Sequence, residues 1–169
     1  NSPAREMCAS AASEQALRAA LAQTKMAYLS GISLGIMSAQ GIEMLFGVLA
    51  DFQAAGGKVV FDSNYRPRLW KTKENAQQVT LRALLLANVA LLTDEDEQML
   101  WGSNSMASLV ARYSAGNLTE LVLKRGALDV VFSLRANPQQ AFGAAQSIAV
   151  PKVDKIVDTT AAGDSFNGA

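Results

Sequence analysis

The sequence predicts an α/β domain layered around a mainly parallel sheet. Three observations carry that expectation. Short apolar runs alternate with segments of helical period along most of the chain. One run, Val59-Val60-Phe61, is apolar without alternation, as in a strand covered on both sides of a parallel sheet. Polar clusters follow several of these runs, where the carboxyl rim of such a sheet would lie and where ligands bind.

The elements follow in chain order. The alanine-rich start predicts a helix with Leu17 and Leu21 on its inner face. Ala27-Tyr28-Leu29 reads as a strand running into a Ser30-Gly31-Ile32-Ser33 loop. From Ser38 a helix is expected, because Ile42, Leu45, Phe46 and Leu49 recur on one face, and Gly56-Gly57 stops it. Lys58 to Asn64 is a strand, Thr72 to Ala87 a helix, and Val89-Ala90-Leu91-Leu92 the next strand. Thr93 is a good N-cap, with Asp94, Glu95 and Asp96 placing negative charge at the positive end of a helix that stops near Gly102. A further helix spans Ser105 to Ala115. Leu121-Val122-Leu123 is a buried strand, and Val130 to Leu134 follows so closely past Gly126 that the pair is expected to be antiparallel. Gln146 to Val150 adds an edge strand ended by Pro151. Residues 1–169 are expected to form one domain, with no internal repeat and no linker.

Composition removes whole classes of function. Half of the 169 residues are hydrophobic, enough for a real core. Fifteen basic and fifteen acidic side chains leave no net charge, so there is no electrostatic footprint for nucleic acid or an anionic membrane. The apolar clusters, such as Leu84-Leu85-Leu86-Ala87, are too short to span a bilayer, and no basic-then-apolar leader is seen at the start. One cysteine, Cys8, rules out an internal disulfide and fits a cytoplasmic setting. It has no charged neighbourhood that would activate it. Histidine is absent, which excludes Ser-His-Asp and Cys-His catalysis, histidine-ligated zinc and an imidazole base. Acid–base work falls to Asp, Glu, Lys, Tyr or Cys.

The densest signal is the end of the chain, Val157-Asp158-Thr159-Thr160-Ala161-Ala162-Gly163-Asp164-Ser165-Phe166-Asn167-Gly168-Ala169. Small residues running into a helix start point backbone N–H groups and the positive helix end at one spot, which suits phosphate. Asp164 beside that spot would suit a base that takes a proton from an attacking hydroxyl. Taken alone, it reads better as an ordinary acid in the first turn of a capped helix. In Asp62-x-Asn64-x-Arg66, strand alternation would point three polar side chains the same way, and the Arg66 fork matches carboxylate or phosphate oxygens. The competing reading is a strand end followed by an extended Arg66-Pro67 dipeptide. Lys124-Arg125-Gly126 offers cations and a flexible backbone for a nucleotide phosphate, or simple surface charge after a strand. Thr93 to Asp96 would organise magnesium through water, although helix capping accounts for it fully. Trp70, Trp101, Tyr28 and Met99 read as packing, and Gly31 and Gly35 as two glycines in a loop. Neither a Gly-x-x-x-x-Gly-Lys-Ser/Thr loop nor a Gly-x-Gly-x-x-Gly fingerprint is present.

With these residues in view the chain resembles the ribokinase-like (PfkB) family of carbohydrate kinases from about Met26 onward. Asp158-Thr159-Thr160-Ala161-Ala162-Gly163-Asp164-Ser165-Phe166 is similar to that family's D-T-x-G-A-G-D-x-F signature, with Ala161 where glycine is usual. Phe61-Asp62-Ser63-Asn64-Tyr65-Arg66-Pro67-Arg68-Leu69-Trp70 resembles the F-D-x-N-Y-R-P-x-L-W run of the branch that acts on 2-keto-3-deoxygluconate. Tyr28 to Leu34 and Val122 to Ala127 also look like that branch.

The resemblance implies a three-layer Rossmann-like core and ATP-dependent phosphorylation of the sugar acid's terminal hydroxyl, giving the 6-phosphate. It implies Asp164 as the base, with the N–H groups of Ala161, Ala162, Gly163 and Asp164 as the anion hole. Arg66 would meet the sugar acid, and Asn64, Lys124, Gly126, Thr159 and Gly163 would lie near the nucleotide. ATP and magnesium are the implied cofactors. The family's Asn-x-x-Glu magnesium motif appears as Thr93-x-x-Asp96 and leaves the metal ligands unassigned, while Asp129 stands where a glycine often follows Gly126. A fructokinase- or ribokinase-type activity is the alternative within the family, and a non-catalytic anion-binding module the alternative outside it. The full-length enzyme is open to homo-oligomerisation. Family members also carry an N-terminal part with sugar-binding loops and a lid, and a longer C-terminal part, so this chain corresponds to roughly half of such an enzyme. No meaningful kinase activity is expected of the 169 residues alone.

Overall fold

A computed structural model of the chain describes residues 8, 10–151 and 161–168. Its six-stranded sheet runs in chain order: β1 (Met26–Ser30), β2 (Lys58–Asp62), β3 (Val89–Thr93), β4 (Glu120–Lys124), β5 (Val130–Leu134) and β6 (Gln146–Ile148). The first four strands are parallel, and β4-β5 and β5-β6 pair antiparallel. The described helices are α1 (Ala11–Leu21), α2 (Gly31–Ile36), α3 (Ala39–Ala54), α4 (Lys73–Leu86), α5 (Asp94–Trp101), α6 (Met106–Tyr113) and α7 (Ala162–Asn167), with one turn of 3-10 helix at Pro67–Leu69.

Local chemistry sets the helix ends. Ser38, Thr72, Thr93 and Ser105 each accept a backbone N–H three residues on, satisfying one of the free donors of a first turn. Gly102 ends α5 in the left-handed conformation, at φ 75°, where glycine escapes the Cβ penalty.

Strand register separates two faces. Leu29, Phe61, Ala90 and Leu121 lie side by side across β1 to β4, and they bury against Leu45, Leu49 and Leu84 of the helices above. There α1 packs on α3, α3 on α4, and α4 on α6, which makes one full helical layer. Tyr28, Asp62 and Lys124 occupy the alternate register positions and face the other way. Among the described residues α7 reaches this second face, where Asn167 bonds both Tyr28 and Lys124. The three-layer order expected from the resemblance is therefore present as a sheet with one complete layer and the start of the opposite one.

Three details differ from the sequence reading. The segment after β1 is a helix and not a loop, because Ser30 caps it by accepting the Ile32 N–H. Gly31 is also more than a loop glycine: a Cβ there would sit 2.0 Å from the Ser63 carbonyl oxygen, so only glycine lets the ends of β1 and β2 approach. Strand β2 stops at Asp62 rather than Asn64, which takes a left-handed φ of 32°. The alternation assumed through Asp62, Asn64 and Arg66 is broken there.

Two glycine substitutions should therefore part in sign. Gly31→Ala pushes a methyl into a fixed carbonyl and should destabilise the protein by about 1–3 kcal/mol. Gly47→Ala, in α3 with nothing within 4 Å of its added Cβ, should be stabilising by up to about 1 kcal/mol. Thermal melting of both variants checks the pair, and equal losses would discount the close approach at Gly31.

Candidate active site

One cleft of about 490 Å³ opens on the carboxyl rim of the sheet, a size suited to a small organic ligand rather than a lone ion. It is lined by Asp62, Asn64 and Arg66 after β2, Thr93 to Asp96 after β3, Lys124 to Gly126 after β4, and Ala161 to Asp164 at the start of α7. The four polar clusters of the sequence thus meet at one place. Thr159 lies outside the described residues. Tyr28 and Met99 do not pack as expected: both are about half exposed, whereas Trp70 and Trp101 do pack on buried clusters. Cys8 is buried, which pushes its thiol up and away from reactivity.

Asp62 and Lys124 end β2 and β4, on either side of β3, and are 3% and 8% exposed, so each charge needs a partner. Lys124 Nζ donates to Asp62 Oδ1 at 3.1 Å and to Asn167 Oδ1 at 2.9 Å. Asn167 Nδ2 donates to the Tyr28 hydroxyl at 3.1 Å, and that hydroxyl donates to Asp62 Oδ2 at 2.9 Å. The four side chains close a ring of hydrogen bonds. Desolvation pushes the Tyr28 hydroxyl up to about 12, so it stays a proton donor at neutral pH.

A second network holds the loop that carries Arg66. Buried Asp96 accepts from the Ser63 hydroxyl at 2.8 Å and from the Tyr65 N–H at 3.1 Å, and Ser63 in turn accepts from the Thr93 N–H. Arg66 donates one Nη1 bond to the Tyr65 carbonyl and lies 4.0 Å from Asp96, with its side chain 55% exposed on the cleft. Helix capping alone does not explain Thr93-x-x-Asp96, since Asp96 also fixes the neighbouring loop.

At the start of α7, Ala161 is left-handed, at φ 58° and ψ 14°. A Cβ is strained there by about 1–2 kcal/mol, which accounts for the glycine of the family signature at this position. The helix has no side-chain cap, and its first internal bond runs from the Ser165 N–H to the Ala161 carbonyl. The N–H groups of Ala162, Gly163 and Asp164 thus have no acceptor within the helix and border the cleft. The helix begins at Ala162, so Asp164 stands in its first turn rather than in a loop before it.

Beneath the acidic start of α5 lies a cluster that reading the sequence missed. Glu97 is 1% exposed, accepts from the Tyr113 hydroxyl at 2.8 Å, and pairs with Arg112 at 2.8 Å. The Arg112 guanidinium also stacks on the Trp101 and Tyr113 rings. The available signal was that Glu97 shares a helix face with buried Leu100, three residues on. Burial pushes the Glu97 carboxyl up from 4.5 to about 7, more than Tyr113 and Arg112 offset.

The acid groups bear on a metal ion. Among the described residues no group of three metal-ligating side chains forms. Asp62 and Asp96 face buried partners, so of the cleft acids at the start of α5 Asp94 and Glu95 stand outside the buried networks, as Asp164 does on α7. Magnesium commonly keeps several waters and takes one or two carboxylates plus substrate phosphates, so these two residues fit a water-mediated ion. No described helix is long and apolar enough to cross a membrane.

The family profile of pfkB family carbohydrate kinases matches residues 2–169, and the chain belongs to that family. Over 147 residues it is 43% identical to the 2-dehydro-3-deoxygluconokinase of Escherichia coli strain K12, covering 87% of this chain and 46% of that protein. The enzyme of the same name from Dickeya dadantii strain 3937 is 44% identical over the same shares. The crystal structure of fructokinase with bound ATP from Xylella fastidiosa matches with a TM-score of 0.73 at 26% identity, covering 89% of this chain and 44% of that one. The chain spans about half the length of the curated relatives it matches.

Glu97 generates a pH prediction. Its carboxyl binds its proton more tightly when folded, so its contribution to stability is complete below about 4.5 and is lost as the pH rises through about 7. The melting temperature of Glu97→Gln should therefore fall less than that of the parent between pH 5 and 8, roughly the range in which a group of this kind titrates. Parallel melting curves across that range would remove Glu97 as the titrating group.

Proposed function

We propose that the protein, at the length of its relatives, transfers the γ-phosphoryl group of ATP to the terminal hydroxyl of 2-keto-3-deoxygluconate, also called 2-dehydro-3-deoxygluconate. The observation that carries this reading is one cleft holding the exposed Arg66 fork, the open N–H groups of Ala162 to Asp164, and the Asp164 carboxylate. The two relatives of that name at 43% and 44% identity support the choice of sugar acid.

Each part has a physical task. When bound, ATP supplies the phosphoryl group and magnesium neutralises part of its charge. Asp164 accepts the proton of the acceptor hydroxyl as its oxygen bonds to phosphorus and the bond to the leaving ADP oxygen breaks. The N–H groups of Ala161, Ala162, Gly163 and Asp164 donate to the phosphoryl oxygens on which charge accumulates. Arg66 pairs with the carboxylate that distinguishes a sugar acid from a neutral sugar. Asn64, Lys124, Gly126 and Gly163 would border the nucleotide, Thr159 is assigned there by the resemblance alone, and Asp94 and Glu95 would hold magnesium through water.

Steady-state kinetics and calorimetry on the full-length protein test this. Asp164→Asn should lower kcat by about a hundredfold to ten-thousandfold while nucleotide binding persists. Arg66→Ala should raise KM for 2-keto-3-deoxygluconate by about tenfold to a hundredfold, the worth of a charge-assisted hydrogen bond, and leave activity on fructose untouched. A parent enzyme that prefers fructose, or an Arg66→Ala variant with unchanged KM for the acid, would reassign the substrate. Nucleotide binding with no turnover in the parent would reduce the site to a binding module.

A further inference from the structure

The helix that carries Asp164 meets the sheet through a polar side chain. None of the six residues of α7 is buried, and Phe166, its one large apolar side chain, is 44% exposed. Asn167 lies one helical turn beyond Asp164, on the same side of the helix. Its amide oxygen accepts from Lys124 Nζ at 2.9 Å, and its amide nitrogen donates to the Tyr28 hydroxyl at 3.1 Å. Both partners are tied to Asp62, at 3.1 Å and 2.9 Å. The ring thus joins β1, β2 and β4 to α7 through four hydrogen bonds.

We infer that Tyr28, Asp62 and Asn167 are positioning residues of the phosphoryl-transfer reaction, acting through Lys124 to fix α7 and with it Asp164 against the sheet rim. The inference rests on the reading of Asp164 as the base, but the tether itself is a property of the fold. Asp62 is central, because it orients both the ammonium and the hydroxyl that grip Asn167. A buried carboxylate with two fixed donors has one arrangement, so the amide on the helix meets a rigid acceptor and donor pair. A displacement of about 1 Å at a reacting group is enough to lower a rate about a hundredfold.

The test uses Asn167→Ala, Tyr28→Phe and their double variant in the full-length protein, with two independent readouts. Asn167 and Tyr28 are not buried, so the variants are expected to fold, which melting temperatures verify. In ligand-free hydrogen exchange, Asn167→Ala should speed exchange over residues 162–168 by about tenfold to a hundredfold, and Tyr28→Phe by less. The double variant should be no faster than Asn167→Ala alone, because both residues act through one ring. In kinetics, Asn167→Ala should lower kcat by about tenfold or more with KM for the sugar acid unchanged. Unchanged exchange over 162–168 in Asn167→Ala, or additive effects in the double variant, would overturn the tether. Accelerated exchange with unchanged kcat would overturn its role in the reaction. A parent that phosphorylates no sugar would refute the proposed function, and the exchange measurements would still decide whether the ring anchors the helix.

Discussion

A carboxylate taken out of water is tolerable only where its partners are fixed, and Asp62 meets that condition on the sheet rim. Its two oxygens receive the Lys124 ammonium and the Tyr28 hydroxyl, and through them three parallel strands are joined at their carboxyl ends. Each partner has a second bond, and both second bonds lead to Asn167. The helix bearing Asp164 is thereby tied to a buried charge pair. Removing one member would leave the other charge buried and unpaired, at about 3–5 kcal/mol, so the pair is hard to alter one residue at a time.

The sheet explains why chemistry gathers on this side. Its other face is sealed by α1, α3, α4 and α6, and the residues there are almost wholly apolar. Most polar side chains of the described strands sit at the strand ends and on the face that α7 reaches; Ser133, in register with Leu121, is a buried exception bonded to the Gly143 carbonyl. Parallel strands bring all their carboxyl ends to one rim, so residues from four segments far apart in sequence line a single cleft. Asp96 and Ser63 then hold the loop after β2 in place, which leaves the Arg66 guanidinium reaching outward from a fixed base.

Much of this was legible before any coordinates. Unbroken apolar runs marked the parallel strands, and Ser38, Thr72, Thr93 and Ser105 marked helix starts, because both signals are local. The polar clusters were legible as a group because topology alone sends them to one rim. What escaped depends on contacts between distant residues. Nothing near Tyr28 indicates that its hydroxyl meets Asp62, thirty-four positions later, or Asn167 beyond that. Gly31 looked like loop filler because the Ser63 carbonyl that excludes a side chain lies on another strand end. Glu97 was hidden in a run of four acids, since its burial is decided by Tyr113 and Arg112 on the following helix.

Asn64 shows how a backbone angle can restrict the future of a site. At φ 32° it occupies a region that few side chains enter readily, asparagine, aspartate and glycine foremost among them. Glycine would keep the turn but discard the amide, and aspartate would add a negative charge to a cleft already lined by Asp62, Asp94, Glu95, Asp96 and Asp164. Drift or laboratory selection toward a new acceptor would thus find this position nearly closed, with adaptation diverted to the more exposed arginine two residues on.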